Sequence, residues 1–402
     1  MKRKKKQWTK FRHRVIRNIA YAVLYPYIRI KYGARIEKFR EKEKRQYLIA
    51  FNHQTAADQF IVGSAFKGAV YYVASEDILT NGFISRLLSW AVAPIPIKKQ
   101  ATDVGAVLNC KRVAKEGGTI ALAPEGNRTY SGKTGYIKPA IVAFVRTLKL
   151  PLVLYRIEGG YGVHPRWSDE IRKGHVRGYV SRVVERSEYE KLTDEELLAL
   201  IQKELYVDES QPVESFTGKN LAQYLERALY VCPKCGLSTL RTEKDEITCT
   251  KCGETVRYLP NGRLQGENFP FTTVAEWYEN QCDFINGLDL NAFSEAPLYQ
   301  DQGLRISSVQ PYKRKTHLDK NGEALLYKDK IELTIAGEKT TLTFEKIDVA
   351  TVLGRNKLNL YHEGKVYQIK GDKRFNALKY VNLCYRYKNA GKEGEDGKFL
   401  GL

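Results

Sequence analysis

Phe51-Asn52-His53-Gln54-Thr55-Ala56-Ala57-Asp58 is the stretch on which the reading of this chain turns. It leaves a short apolar run, Tyr47-Leu48-Ile49-Ala50-Phe51, with the length and composition of a buried strand. It enters Phe60-Ile61-Val62, with Ala65 and Phe66 beyond, spaced for a helix packed by one face. A His in a strand-to-helix turn, with an Asp five residues on at the helix start, can form a dyad. The carboxylate accepts a hydrogen bond from one ring nitrogen, sets the tautomer and leaves the other nitrogen as a base. This is the His–Asp part of a catalytic triad without the nucleophile, which suits an enzyme whose nucleophile is a substrate hydroxyl. The competing reading is structural, with Asp58 serving only to cap the helix.

A second stretch shifts the balance. Gly118-Thr119-Ile120-Ala121-Leu122-Ala123 is another apolar strand candidate, and it ends in Pro124-Glu125-Gly126-Asn127-Arg128-Thr129. Gly126 permits a tight turn, and Arg128 leaves a loop at a strand's C-terminal end, where ligands of α/β sheets commonly sit. A guanidinium there offers a bidentate clamp for phosphate, against the plainer reading of a turn with a surface Arg.

Together the two stretches resemble the glycerolipid acyltransferase family of the lysophosphatidic acid acyltransferase type. That family carries Asn-His-x4-Asp and, downstream, Pro-Glu-Gly-Thr-Arg-Ser. Two weaker blocks fall in order: Ala93-Pro94-Ile95-Pro96-Ile97-Lys98-Lys99, then Ile137-Lys138-Pro139-Ala140 with Leu150-Pro151-Leu152-Val153. The resemblance covers residues 45 to 225. Ala123 stands where the family has Phe, Asn127 where it has Thr, and Lys99 where it has Arg. The last change replaces a fork by a point charge.

The resemblance implies an O-acyltransferase. His53, oriented by Asp58, takes the proton from an acceptor hydroxyl as it attacks a thioester carbonyl. Lys99, Glu125, Gly126 and Arg128 hold the acceptor's phosphate. The implied acceptor is 1-acylglycerol 3-phosphate, giving phosphatidic acid, and another lysophospholipid is the alternative. The implied donor is acyl-CoA or acyl carrier protein.

The net charge of +20 is unevenly placed. Residues 1–50 hold 17 Lys plus Arg and 3 acids, whereas the rest of the chain has 49 basic and 43 acidic residues. Within the basic end, Trp8, Phe11, Val15, Ile19, Val23 and Leu24 recur at helical spacing, and Pro26 is expected to bend or end that helix. The longest uncharged run there, from Asn18 to Ile28, is too short to span a bilayer. An interfacial helix fits, with basic flanks on an anionic membrane surface and Trp8 and the tyrosines at headgroup depth. Each Lys or Arg near such a surface contributes about 1 kcal/mol. The expected location is the cytoplasmic side of the cell membrane, peripheral or monotopic.

Cys232-Pro233-Lys234-Cys235 and Cys249-Thr250-Lys251-Cys252 are two knuckles separated by thirteen residues. They resemble a zinc ribbon, four thiolates closing a tetrahedral structural zinc site with no open catalytic position. A helical pattern from Leu221 to Tyr230 leads into them. Farther on, Phe271 to Phe284 reads as a helix. Short strands follow at 324–327, 330–335, 340–345, 357–361 and 365–370, then a last helix from Phe375 to Tyr387. That pattern resembles a pleckstrin-homology or GRAM-like barrel.

The expected fold class is α/β: a layered mixed-sheet acyltransferase domain, a small zinc ribbon and a mostly-β C-terminal domain. Residues 1–45 are expected to form a basic amphipathic membrane-associating segment, 46–230 the acyltransferase domain and 231–258 the ribbon. Residues 259–322 are expected as a helical or irregular connector, 323–390 as the PH/GRAM-like domain and 391–402 as a tail, disordered over Lys392 to Lys398. The contrasting function class is a non-enzymatic basic zinc-ribbon protein that binds nucleic acid. It accounts for the charged end and the four cysteines but not for the paired His53/Asp58 and Glu125/Arg128 blocks, so nucleic acid is disfavoured as a partner.

Overall fold

Alternating apolar runs and amphipathic stretches build a sheet covered by helices, because each strand buried on both faces needs a layer on either side. A computed structural model describes residues 7–40, 45–80, 82–97, 103–212 and 214–401. The chain divides into one unit of Met1–Leu79, Ile84–Pro165 and Ile171–Glu209, and a second of Thr80–Phe83, Arg166–Glu170 and Ser210–Leu402.

In the first unit the helix α1 (Phe11–Lys31) precedes β1 (Arg35–Ile36). Then come β2 (Leu48–Phe51), α2 (Asp58–Ala65), β3 (Val70–Ser75), α3 (Phe83–Ala91), β4 (Ile95–Ile97), α4 (Val104–Lys115), β5 (Thr119–Leu122), α5 (Ala140–Leu148) and β6 (Leu152–Glu158). The unit closes with α6 (Gly160–Val163), β7 (Arg177–Val184), α7 (Arg186–Tyr189) and α8 (Asp194–Leu205). The sheet order is β1-β7-β6-β2-β5-β3-β4. Strands β2 to β6 are mutually parallel and β7 runs antiparallel to β6, so the sheet is mixed. Every residue of the central strand β2 is buried, as its unbroken apolar run requires. The start of α8 is a capping box between Thr193 and Glu196.

Pro26 does not end α1, which continues to Lys31. The lost backbone bond is offset by packing beyond it. Ile28 and Tyr32 are buried, and the Tyr32 hydroxyl lies 2.9 Å from His164 Nδ1. Trp8 is likewise not a headgroup residue. Its indole donates to Ala93 O at 3.1 Å, and its backbone amide donates to Glu116 Oε2 at 2.7 Å, which anchors the start of α1.

In the second unit a two-stranded ribbon of β8 (Val231–Cys232) and β9 (Gly236–Leu237) carries the first knuckle. A four-stranded meander follows, of β10 (Leu240–Glu243), β11 (Glu246–Cys249), β12 (Thr255–Tyr258) and β13 (Leu264–Gln265). After α9 (Val274–Gly287) come β14 (Tyr299–Ser308), β15 (Thr316–Leu326), β16 (Lys330–Ile335), β17 (Glu338–Thr343), β18 (Ile347–Leu353), β19 (Lys357–His362) and β20 (Lys365–Lys370). They form one antiparallel sheet ordered β17-β16-β15-β14-β20-β19-β18, followed by α10 (Leu378–Lys388) and α11 (Gly394–Lys398).

The mostly-β character is as expected, but three local expectations are corrected. Leu221 to Tyr230 is not a helix; it holds only a 3-10 turn at Leu225–Arg227. The meander takes its amides: Leu221 N donates to Asp245 Oδ1 at 2.6 Å and Tyr224 N to Thr242 Oγ1 at 3.0 Å. The large sheet gains β14 and β18, whose pairings with β15 and β19 contain register shifts that interrupt the period of two. The tail is tied down, with Asn389 Nδ2 donating to Phe399 O at 2.6 Å and Leu400 buried.

Candidate active site

Strands β2 and β5 are neighbours, registered Ala50 against Leu122. His53 and Glu125 each stand three residues beyond that pair, so the two loops leave the same end of the sheet side by side. The loops are laced together. His53 N donates to Glu125 Oε1 at 2.6 Å, Thr129 N donates to His53 O at 3.0 Å, and Gly135 N donates to Glu125 Oε2 at 2.6 Å.

His53 Nδ1 lies 2.7 Å from Asp58 Oδ2. Asp58 is the first residue of α2 and is fully buried. It does more than cap a helix: Oδ2 accepts from Gln54 N at 2.6 Å, and Oδ1 accepts from Thr55 N at 2.9 Å and Thr55 Oγ1 at 2.7 Å. The carboxylate therefore shapes the turn that carries the histidine while orienting its ring. The His53 side chain stays 24% exposed.

Glu125 is buried, and burial pushes its carboxyl up to about 8 against the opposing pull of the Gly135 and His53 amides. Gly126 sits at φ +73 with open space where a Cβ would be, so its requirement is backbone conformation rather than room. Arg128 follows on the same turn, half-buried, one residue before the amide that binds the His53 carbonyl.

Against known families, residues 33–157 match the family described as Acyltransferase. The chain is 25% identical over 150 residues to a chloroplastic 1-acyl-sn-glycerol-3-phosphate acyltransferase of Brassica napus, covering 36% of this chain and 42% of that one. It is 22% identical over 195 residues to a chloroplastic 1-acyl-sn-glycerol-3-phosphate acyltransferase of Arabidopsis thaliana, covering 46% and 52%. The chain thus spans about half the length of these relatives. A crystal structure of a 1-acyl-sn-glycerophosphate acyltransferase from Thermotoga maritima aligns with a TM-score of 0.37 and 17% identity, over 48% of this chain and 75% of that one.

Around the His53–Asp58 pair the structure brings in residues outside the expected site set. Asn52 extends the β2–β6 pairing by side chain, donating to Ile157 O at 2.8 Å and accepting from Ile157 N at 2.7 Å. Gln54 Oε1 accepts from Tyr161 N at 3.0 Å. A Cβ on Gly160 would meet Gln54 and Thr55 at 2.9 Å, so only glycine lets α6 approach the histidine loop. Glu209 is buried, accepts from Gly159 N and from Gly162 N (3.2 Å), and burial pushes it up to about 7. Its amide donates to Gly132 O at 3.1 Å. No local signal marks Glu209, since all these partners are distant in sequence. Lys99, the remaining expected phosphate ligand, lies outside the described residues.

In the second unit Cys232, Cys235, Cys249 and Cys252 converge, with their sulfurs all within 4.8 Å of one another and Cys232 and Cys252 3.7 Å apart. Thiolates about 2.3 Å from a tetrahedral ion lie at such mutual separations, so the four residues fit a metal ion. Ser238 Oγ lies 3.0 Å from the Cys249 sulfur and supports that ligand.

Three helices of the first unit expose large apolar side chains. Phe11, Val15, Ile19, Val23, Tyr27 and Ile30 of α1 are exposed, as are Ile84, Leu87 and Trp90 of α3 and Val104 and Leu108 of α4. Among the described residues no helix is long and apolar enough to cross a membrane.

Proposed function

We propose that this chain transfers a fatty acyl group from acyl-CoA or acyl carrier protein to the hydroxyl of a lysophospholipid, with 1-acylglycerol 3-phosphate as acceptor and phosphatidic acid as product. The observation that carries the reading is the 2.7 Å contact between His53 Nδ1 and Asp58 Oδ2, at the end of a parallel strand beside the Glu125–Arg128 loop. Asp58 holds the proton on Nδ1, so Nε2 takes the proton of the acceptor hydroxyl as its oxygen attacks the thioester carbonyl. The tetrahedral intermediate collapses by expelling a thiolate, a far better leaving group than an alkoxide, and no protein nucleophile is needed. Arg128 clamps the acceptor's phosphate, assisted by Lys99. Glu125 acts through the backbone, because both its oxygens already accept amides. Such positioning supplies much of the rate gain in a two-substrate reaction.

The exposed stripe of α1, together with the exposed apolar residues of α3 and α4, supports peripheral docking on a membrane, where the acceptor resides. The four-cysteine cluster is a structural zinc site: its shell is closed by thiolates, so it supplies folding energy rather than reactivity. The sheet of β14 to β20 with α10 is a PH/GRAM-like module.

The test is a product assay, with labelled acyl-CoA and acyl carrier protein offered against a panel of lysophospholipids. Acylation of 1-acylglycerol 3-phosphate that disappears in His53→Ala supports the reading. Absence of transfer to every acceptor, or unchanged transfer by that variant, overturns it.

A further inference from the structure

Glu209 ends the first unit and touches both loops that carry the candidate site. Its backbone amide donates to Gly132 O at 3.1 Å, four residues beyond Arg128 on the same loop. Beside that bond, Thr134 N donates to Val207 O at 2.9 Å and Val207 N donates to Thr134 Oγ1 at 2.8 Å. Residues 207–209 thus run as a short antiparallel splint along residues 132–134. The Glu209 side chain serves the histidine loop instead. Its two oxygens accept from Gly159 N and Gly162 N around the start of α6, and it hydrogen-bonds the Gln54 side chain. Gln54 follows His53 directly and also accepts from Tyr161 N at 3.0 Å. Tyr161 closes the circuit, since a Cβ on Gly132 would meet its ring at 2.9 Å. A carboxylate accepts on both oxygens, whereas an amide in its place would turn an N–H toward one of these donors.

We propose that Glu209 is a positioning residue that fixes the span between His53 and Arg128, and through that span decides which hydroxyl of a phosphorylated acceptor is acylated. This rests on the acyltransferase reading above and adds the choice of hydroxyl to it. A glycerol phosphate ester must bring one hydroxyl to the base and its phosphate to the clamp at the same time. Moving the hydroxyl from the middle carbon to the terminal carbon adds one carbon–carbon bond, up to roughly 1.5 Å of reach. A misplacement of about 1 Å can cost on the order of 10²-fold in rate, so a rigid span separates the two hydroxyls and a loose one does not. The direct bonds between the loops, His53 N to Glu125 and Thr129 N to His53 O, hold the backbone nearer their bases. Neither bond includes Gln54 or Gly132, and Glu209 ties both.

The experiment compares two acceptors on the full chain, the 1-O-alkyl and 2-O-alkyl ethers of glycerol 3-phosphate, whose chains cannot migrate. Labelled acyl-CoA and acyl carrier protein are the donors. The parent is expected to favour the 1-O-alkyl ether, which leaves the middle hydroxyl free, by on the order of 10²-fold in kcat/KM. Glu209→Gln keeps the size of the side chain and the backbone bond to Gly132. It is expected to narrow that preference by about tenfold or more, with donor KM near the parent value. Amide exchange over residues 53–58 and 159–163 should quicken in the same variant. Gln54→Met breaks the tie from its other side and is expected to narrow the preference likewise; it carries the test if Glu209→Gln does not fold. A fall in rate of equal size toward both acceptors, as a smaller folded fraction would give, overturns the assignment of Glu209. Absence of transfer by the parent to either acceptor overturns the acyltransferase reading itself.

Discussion

The backbone amide of His53 donates to Glu125 Oε1 at 2.6 Å, so the base of one loop is held in place by the acid of the next. The second oxygen accepts from Gly135 N at 2.6 Å, so each oxygen of the side chain takes one amide. Burial raises the Glu125 pKa to about 8 from an ordinary value of 4.5. The native state then holds a proton that the unfolded chain has released. This contribution to stability is full below the unfolded value and is lost as pH rises through about 8. Unfolding by urea across that range should show stability falling with pH, and Glu125→Gln should flatten the slope. The variant should also lose roughly 100-fold in kcat through misplacement of His53, with a smaller change in KM. An unaltered slope and rate would leave Glu125 without this role.

His53 and Asp58 should differ in what their loss does to the fold. Asp58 is fully buried and accepts four hydrogen bonds besides the histidine contact. Asp58→Asn should lose on the order of 10⁴-fold in turnover by tautomer loss. It should also cost about 3 kcal/mol of stability, because its amide group would face donors. His53→Ala should abolish turnover with little change in Tm. Paired denaturation and rate measurements check this; equal destabilisation by both variants contradicts it.

Arg128 should separate acceptor from donor. Its loop lies beside the His53 carbonyl, so Arg128→Ala should raise KM for a phosphomonoester acceptor by roughly 100-fold and leave donor KM near the parent value. Arg128→Lys should restore part of the loss, since a point charge replaces a fork. Loss of the same size toward an acceptor without a phosphate monoester would make the residue structural.

Deleting the N-terminal segment would be a poor test of membrane docking. Trp8 and Thr9 bind Glu116, and the buried His13 meets the Tyr71 hydroxyl at 3.1 Å. Replacing exposed Ile19 and Val23 by Ser avoids that damage. Each removes apolar area worth about 1.5–3 kcal/mol when fully buried. Vesicle binding should fall at least tenfold with Tm unchanged. Unchanged flotation by the double variant would remove α1 from the docking face.

Elemental analysis should find about one zinc per chain, the stoichiometry of a four-thiolate structural site. Chelation should loosen the segment from Val231 to Tyr258, whose short strands are too few to bury a core alone. Acyl transfer by the first unit should survive. A purified chain with four reactive thiols and no metal contradicts the site.

What the residues alone determined is whatever depends on short spacing. His53 and Asp58 sit five apart across a strand-to-helix turn, and that spacing brings ring and carboxylate together in any chain that folds there. Two Cys-x-x-Cys pairs likewise impose their own knuckles, and they converge as their spacing predicted. The mixed α/β layering was legible because each buried strand is an unbroken apolar run. Tertiary structure decided what depends on distant partners. The Leu221 to Tyr230 run has helical spacing, yet hairpin residues Asp245 and Thr242 take its amides and leave it as turns. Pro26 stays inside a helix because Ile28 and Tyr32 are buried beyond it. Glu125 looked like a phosphate ligand until the register of β2 against β5 put its oxygens on the amides of His53 and Gly135. Glu209 had no signal at all: its partners at Gly132, Gly159 and Gly162 become neighbours only when the sheet forms, and burial makes their pairing obligatory.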